Sequence, residues 1–219
     1  MVDGILPWWI VLASLAVAGA AVLAVLGSRK DAEAVRFLAR VGMTAAALIV
    51  AMSLPLGPGV HLSLAPLAGM MLGPGGGFLA AFLANASLAT FGHGGVTALG
   101  VNGLFLGTQA VAGATLFALL RRALGVRWGA VAATAATLGP AALGAILLLR
   151  ELPLEPAAPG GHGHGEPSWG LWVVAALAAA AAAVETAITA SVVVFLARVR
   201  SDLVHGGGAP RPRSSGEPA

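Results

Sequence analysis

Residues 8–26 read WWIVLASLAVAGAAVLAVL, nineteen positions without one charge, and this run decides the fold class. A helix needs about 20 predominantly apolar residues to cross the hydrocarbon core of a bilayer. Further apolar runs cover about 41–56, 61–72, 77–91, 97–120, 129–149 and 171–196. The whole chain of 219 residues is 58% hydrophobic and only 10% charged, with a mean hydropathy of +0.90. No soluble domain of this size needs so little charge. An isolated strand cannot satisfy its backbone in lipid, and these runs are too long for barrel strands, so helices are the default. The expectation is an all-α, polytopic membrane bundle of seven transmembrane helices. The first run has no basic segment before it and no clear small-residue cleavage site, so it reads as a retained span and not a signal peptide.

The basic residues set the orientation. Arg29, Lys30, Arg36, Arg40, Arg121, Arg122, Arg127, Arg198 and Arg200 fall on one side of a seven-crossing bundle, together with the two arginines of the tail. That side holds eleven of the twelve Lys and Arg residues, Arg150 being the exception. Positive charge marks the cytoplasmic face, which places the N-terminus outside and the C-terminus inside. An even number of helices would break this segregation. Trp8, Trp9, Trp128, Trp169 and Trp172 all lie near span ends, as an interfacial belt requires. The net charge of +3 therefore reflects membrane topology and gives no reason to invoke nucleic acid.

Residues 1–204 form the expected bundle, including an outer loop at 151–168 that is rich in Pro, Gly and His. Residues 205–219, rich in Gly, Pro, Ser and Arg, read as a disordered cytoplasmic tail. Pro55, Pro58 and Pro66 interrupt the second and third runs, which are near the short limit for a span. Pro74 with Gly75, Gly76 and Gly77 closes that region, so a tilted or broken helix fits there, as does a re-entrant hairpin. Small residues such as Ala18, Gly19, Ala45, Ala46 and the run 178–183 let helix backbones approach closely. They serve packing inside the bundle or, alternatively, docking of another membrane subunit.

The polar residues narrow the chemistry. There is no cysteine, hence no disulfide, no thiolate metal site and no thiol catalysis. No Walker motif, HExxH or nucleophile elbow is present, and no histidine lies deep enough in a span to serve Ser53, Ser63 or Ser87. Four of the five histidines, His61, His93, His162 and His164, gather on the face opposite the basic residues. Imidazole is the commonest protein ligand for borderline transition metals. Each histidine also has a plainer reading. His61 would be an interfacial or capping residue at the start of the third run, His93 a solvated residue between glycines, and His162 with His164 a linker that collects ions weakly. Asn102, within the fifth helix, either bonds a neighbouring helix or shapes a ligand shell. Glu185 is the sole acid deep in a span and needs a partner, for which Thr186 and Thr189 are the candidates on its own helix.

Three stretches resemble one family, the CbiM/NikM type of substrate-capture (S) subunit in cobalt and nickel energy-coupling-factor transporters. Asp3-Gly4-Ile5-Leu6-Pro7 is similar to that family's N-terminal segment, which reads Met-His-x-x-Asp-Gly-(Phe/Ile)-Leu. Gly59-Val60-His61-Leu62 through Leu72-Gly73-Pro74, and then Phe91-Gly92-His93-Gly94-Gly95-Val96-Thr97-Ala98-Leu99-Gly100-Val101-Asn102, follow its central signature. Val184-Glu185-Thr186-Ala187-Ile188-Thr189-Ala190, on to Leu203, resembles its closing motif.

The resemblance implies a seven-helix bundle that captures Ni²⁺ or Co²⁺ at its outer face for ATP-driven uptake. It implies an all-nitrogen site from His61, the terminal amine of Met1 and the backbone amide of Val2. Near-planar nitrogen ligation suits Ni(II) and is available to Co(II). His93, Asn102 and Asp3 would shape that site, and His162 and His164 would gather ions in the outer loop. Position 2 is Val2 where the family has histidine, so the expectation is that the native chain carries Met-His before the given start. The implied partners are a transmembrane coupling subunit, cytoplasmic ATPases and a small accessory membrane subunit. Such a chain is no enzyme, has no organic cofactor and resides in the cell membrane. The rivals are an S subunit for a vitamin-like organic substrate and an intramembrane enzyme or assembly factor.

Overall fold

The computed structural model describes residues 6–28, 31–57, 60–92, 95–151 and 169–204. Helix α1 spans Trp8–Gly27 and α2 spans Asp31–Met52. A short hairpin of β1 (Pro55–Gly57) and β2 (Val60–His61) follows. Then come α3 (Ala65–Thr90), α4 (Leu99–Glu151), α5 (Trp169–Val199) and a last turn, α6 (Ser201–Val204). Five of these helices are long and apolar enough to cross a membrane. Trp8, Leu23, Met43, Phe105, Trp172 and Phe195 point out of the bundle. Such an apolar exterior belongs in lipid. On α1 only Ser14 and Ala18 are buried, with Val22 and Val25 packed part-buried on the core, so that helix leans on the bundle by one face. Hydroxyls inside the spans are satisfied locally: Thr134, Thr137 and Thr186 each donate to the carbonyl four residues back, at 2.7–2.8 Å.

Two glycines turn long helices into paired arms. Gly73 (φ 76°, ψ 175°) divides α3, and Gly125 (φ 75°, ψ 174°) divides α4. That backbone region is open essentially to glycine alone. In a straight helix, residues eight apart are separated by about 12 Å. Here a Cβ on Gly77 would stand 2.5 Å from the Cα of Gly69, and one on Gly129 would stand 2.8 Å from the Cα of Arg121. Both corners therefore bring the flanking arms against each other. Phe117 accordingly shares one apolar core with Ala130 and Ala133, on the other side of the corner.

Small residues make the remaining contacts close. Gly113 meets Pro66, Gly107 meets the ring of Phe78 and Gly100 meets Ser14, which seats α4 on α3 and α1. Gly69 lies against the Ala110 backbone. One core joins α2, α3 and α4 through Val41, Leu48, Leu79 and Leu106, and a second joins α3, α4 and α5 through Met70, Phe117 and Val193. Of the two uses open to small residues, several glycines serve packing inside the bundle.

The all-helical membrane bundle read from the sequence is the observed architecture, with the small hairpin as its only strand element among the described residues. The seven apolar runs map onto five helices, because two runs share α3 and two share α4, each pair parted by its glycine corner. Three local expectations need correction. Residues 53–57 and 60–64 are not helical, since Pro55 cannot donate to a helix and the chain pairs in the hairpin. His61 consequently lies on β2, four residues ahead of α3, and does not start a helix. The charged segment before Val41 belongs to α2, which begins at Asp31; its Ala, Glu, Leu and Arg are good helix formers. The outer loop after Glu151 and the tail from His205 lie outside the described residues.

Candidate metal centre

The hairpin that carries His61 hangs between helices. Strand β1 pairs antiparallel with β2, Pro55 opposite His61 and Gly57 opposite Val60, with an irregular register between them. His61 is exposed and the next residue, Leu62, is buried, so the strand alternation anchors one side and presents the imidazole on the other. Two residues on, Leu64 has φ 47° and ψ 19°, a left-handed backbone that only this non-glycine residue adopts among those described. Leu64 precedes the first turn of α3 and accepts the Ala68 N–H at 3.1 Å. Pro66 sits in that first turn, where its missing N–H costs nothing. A non-glycine residue held in this region costs on the order of 1–3 kcal/mol and persists only where its surroundings over-determine it.

The surroundings are supplied by α5. Glu185 is 4% exposed and lies midway along that helix, about 24 Å from its start at 1.5 Å per residue. Its Oε2 accepts the Ser63 backbone N–H at 3.0 Å, and its Oε1 accepts the Ser63 hydroxyl at 2.8 Å. The Leu64 N–H is also bonded to this carboxylate. A carboxylate at the centre of a membrane helix costs roughly 2.5–3.5 kcal/mol on insertion scales. The bonds from Ser63 stand in for those the group would make to water. The partner of Glu185 is thus Ser63, 122 residues away in sequence, and not the threonines of its own helix. Thr186 donates to the Ala182 carbonyl at 2.7 Å, and the Thr189 hydroxyl has no partner among the described residues.

Helix α4 closes the third side. Gln109 is buried, with its amide oxygen 3.4 Å from the Ser63 hydroxyl. The single hydroxyl proton is already committed to Glu185 at 2.8 Å. Turned over, the amide would present its NH₂ to Ser63, and the series Gln109, Ser63, Glu185 would be satisfied in one direction. Ser63 Oγ also faces the Ala65 N–H at 3.4 Å. Non-helical backbone at the depth of mid-helix is tolerated where protein surrounds it or it lines a cavity, and broken helices at that depth are a recurrent device of transport sites.

Of the sequence-predicted site residues, His61 and Asn102 are described. Asn102 is half-buried in the first turn of α4, its N–H bonded to the Ala98 carbonyl at 2.9 Å. Met1, Val2, Asp3, His93, His162 and His164 lie outside the described residues. Among the described residues, no three histidine or acidic side chains cluster as a metal cage. Three polar residues were not singled out for the site from sequence: Ser63, Gln109 and Asn85. Asn85 is buried and donates to the Leu99 carbonyl at 3.2 Å, fixing the start of α4. Their signal was an amide or hydroxyl inside an apolar run, which also fits many ordinary interhelical contacts.

The described cavities lie elsewhere. A groove of about 700 Å³ between α4 and α5 is lined mainly by alanines, with Leu143 and Thr186. Neither an aromatic ring nor a charge lines it. A second cleft, of about 380 Å³, is flanked by Arg127, Trp128 and Arg198 at the basic end. Arg127 lies over the Trp128 ring at 5.4 Å, and Arg121 over Phe117 at 5.7 Å, arrangements suited to a membrane interface.

No characterised protein and no solved structure matches this sequence. A family model does, over residues 1–203, and its description is cobalt uptake substrate-specific transmembrane region. The match takes in every described helix but the final residue of α6, together with the His61 hairpin and Glu185. A multi-pass membrane bundle is the architecture such a description requires. This chain belongs to the CbiM family, the substrate-specific transmembrane component of cobalt uptake.

Proposed function

We propose that this chain is the S subunit of an energy-coupling-factor transporter and captures Ni²⁺ or Co²⁺ from outside the cell. The supporting observation is the placement of His61: an imidazole on a non-helical hairpin, tied at its base to a buried acid in a cobalt-uptake family member. His61 supplies one nitrogen. The terminal amine of Met1 and the amide of Val2 supply others, or a Met-His segment ahead of them does. His93, Asn102 and Asp3 orient the ligands, and His162 with His164 raise the local ion concentration. Nitrogen ligation of this kind suits both ions. The bundle crosses the membrane seven times, with its N-terminus outside and the basic end cytoplasmic. The third crossing combines the hairpin with the short first arm of α3. Energy comes from cytoplasmic ATPases through a transmembrane coupling subunit and a small accessory membrane protein.

The test is uptake of radioactive cobalt or nickel by cells lacking their own importers. Cells expressing this chain with coupling and ATPase subunits should accumulate ion, and cells in which His61→Ala replaces the native residue should fall to background. Accumulation of neither ion with the complete set of subunits would reject the proposal. An S subunit for an organic vitamin would need a pocket with gripping rings or charges. The groove lined by alanines offers neither, and the cleft that has both lies at the basic end, away from the His61 hairpin.

A further inference from the structure

We infer that Glu185 is the positioning residue of the metal site: its carboxylate latches the Ser63–Leu64 backbone, holds Leu64 in its left-handed conformation and so fixes the loop from which His61 reaches the ion. This inference rests on the proposed role of His61. Three observations meet at one place. Glu185 is buried at mid-helix and receives both the N–H and the hydroxyl of Ser63. Leu64, next in sequence, is the one described non-glycine residue with positive φ. His61 lies two residues before Ser63, on a strand paired across only two residue positions.

Such a strand has little stiffness of its own. Two ladder positions with an irregular register do not hold a hairpin against thermal motion. The prolines of the loop remove donors that a longer ladder would use. Stiffness must come from outside the hairpin, and the α5 carboxylate is the group that grips it. A metal ligand whose support is removed spends most of its time away from the productive geometry. The affinity then falls even though every ligating atom is retained. Ser63 is what makes the grip two-pronged. One prong is a backbone donor that any residue would offer, and the other is a hydroxyl that alanine would lack.

The latch also ties the hairpin to the helix that ends at the basic face. Arg198 lies in the last turn of α5, so a shift of this helix along its axis reaches the loop of His61 through the Glu185–Ser63 contact.

The experiment uses the full chain in lipid nanodiscs and compares wild type with Glu185→Ala, Glu185→Gln, Ser63→Ala and His61→Ala. Hydrogen exchange over residues 60–64 is measured without metal. CoCl₂ and NiCl₂ titrations then give affinity and the ligand-field absorption of the bound ion. Glu185→Ala should speed exchange in that segment, weaken binding by about 10–100-fold, as loss of a ligand-supporting partner does, and shift the absorption bands. Glu185→Gln keeps an oxygen for the Ser63 N–H and should restore most of the affinity. Ser63→Ala loses the hydroxyl alone and should fall between the two; it carries the test if Glu185→Ala does not fold. Unchanged exchange in Glu185→Ala, or a Gln variant as weak as the Ala variant, overturns the latch. If exchange rises but neither Glu185→Ala nor His61→Ala alters metal binding, the His61 reading fails, and the positioning role falls with it. If His61→Ala abolishes binding while Glu185→Ala binds with wild-type affinity and spectrum, His61 stands and the positioning role alone is refuted.

Discussion

Replacing His61 by alanine is expected to abolish stoichiometric binding of Ni²⁺ and Co²⁺ while leaving the bundle folded. The two halves of this expectation come from different facts. The imidazole is the one histidine among the described residues, and it stands at the open end of the hairpin, opposite Pro55 and two residues before the anchored Ser63. Removing a ligating atom must cost more than removing a supporting partner, for which losses of about 10–100-fold are usual, so a fall beyond about 100-fold is expected. Stability should hardly move, because the side chain is exposed and leaves no cavity. A single side-chain hydrogen bond typically contributes about 0.5–1.5 kcal/mol, so the bundle stays folded. Calorimetric titration alongside thermal unfolding of the same samples separates the two effects. A variant that melts like wild type and binds neither ion is the expected result. A variant that still binds one ion per chain would remove His61 from the site.

Gly69→Val is expected to destroy the fold itself. A Cβ at this position would drive into the backbone carbonyl of Ala110, and Gly69 already abuts Gly77 on the facing arm of α3. Backbone meets backbone on both sides, so no side chain can swing away to make room. Overpacking in a well-packed interior typically costs about 1–3 kcal/mol and more when nothing can yield. A branched residue between two immovable backbones belongs at the top of that range or beyond it. Helix α3 also carries the hairpin at its start, so metal binding should be lost with the fold. Gly139→Ala is the control: a Cβ there meets nothing within 4 Å, in a helical arm where alanine is the better former. Size-exclusion profiles of detergent-extracted protein should show Gly69→Val aggregated or absent and Gly139→Ala monodisperse. A monodisperse Gly69→Val that binds metal would mean the α3 corner is looser than its geometry implies.

The long-range plan was legible in the sequence because lipid imposes a simple code. Uninterrupted apolar length marks the spans, and Trp and Arg mark their ends. The corners were half-legible. Gly73-Pro74 announces a break, yet Gly125 sits among Ala, Leu and Val with nothing to flag it. Its role depends on φ of 75°, a property of the backbone that glycine permits and does not demand. The start of α2 was missed because hydropathy records what enters lipid and says little about where helical hydrogen bonding begins. At the site, His61 stood out by residue type and family signature. The partner of Glu185 could not be read at all, since Ser63 is 122 residues distant and serine inside an apolar run is commonplace. Only folding shows that a carboxylate on the last long helix and a hydroxyl beside the first hairpin meet at 2.8 Å.

The most direct measurement is X-ray absorption on the cobalt- or nickel-loaded full chain, wild type beside His61→Ala. A first shell of nitrogen atoms, with the outer-sphere scattering that a rigid imidazole produces, is expected in wild type and should vanish in the variant. A shell of oxygen atoms, or a spectrum the same in both proteins, would show that the ion is held somewhere other than the His61 hairpin.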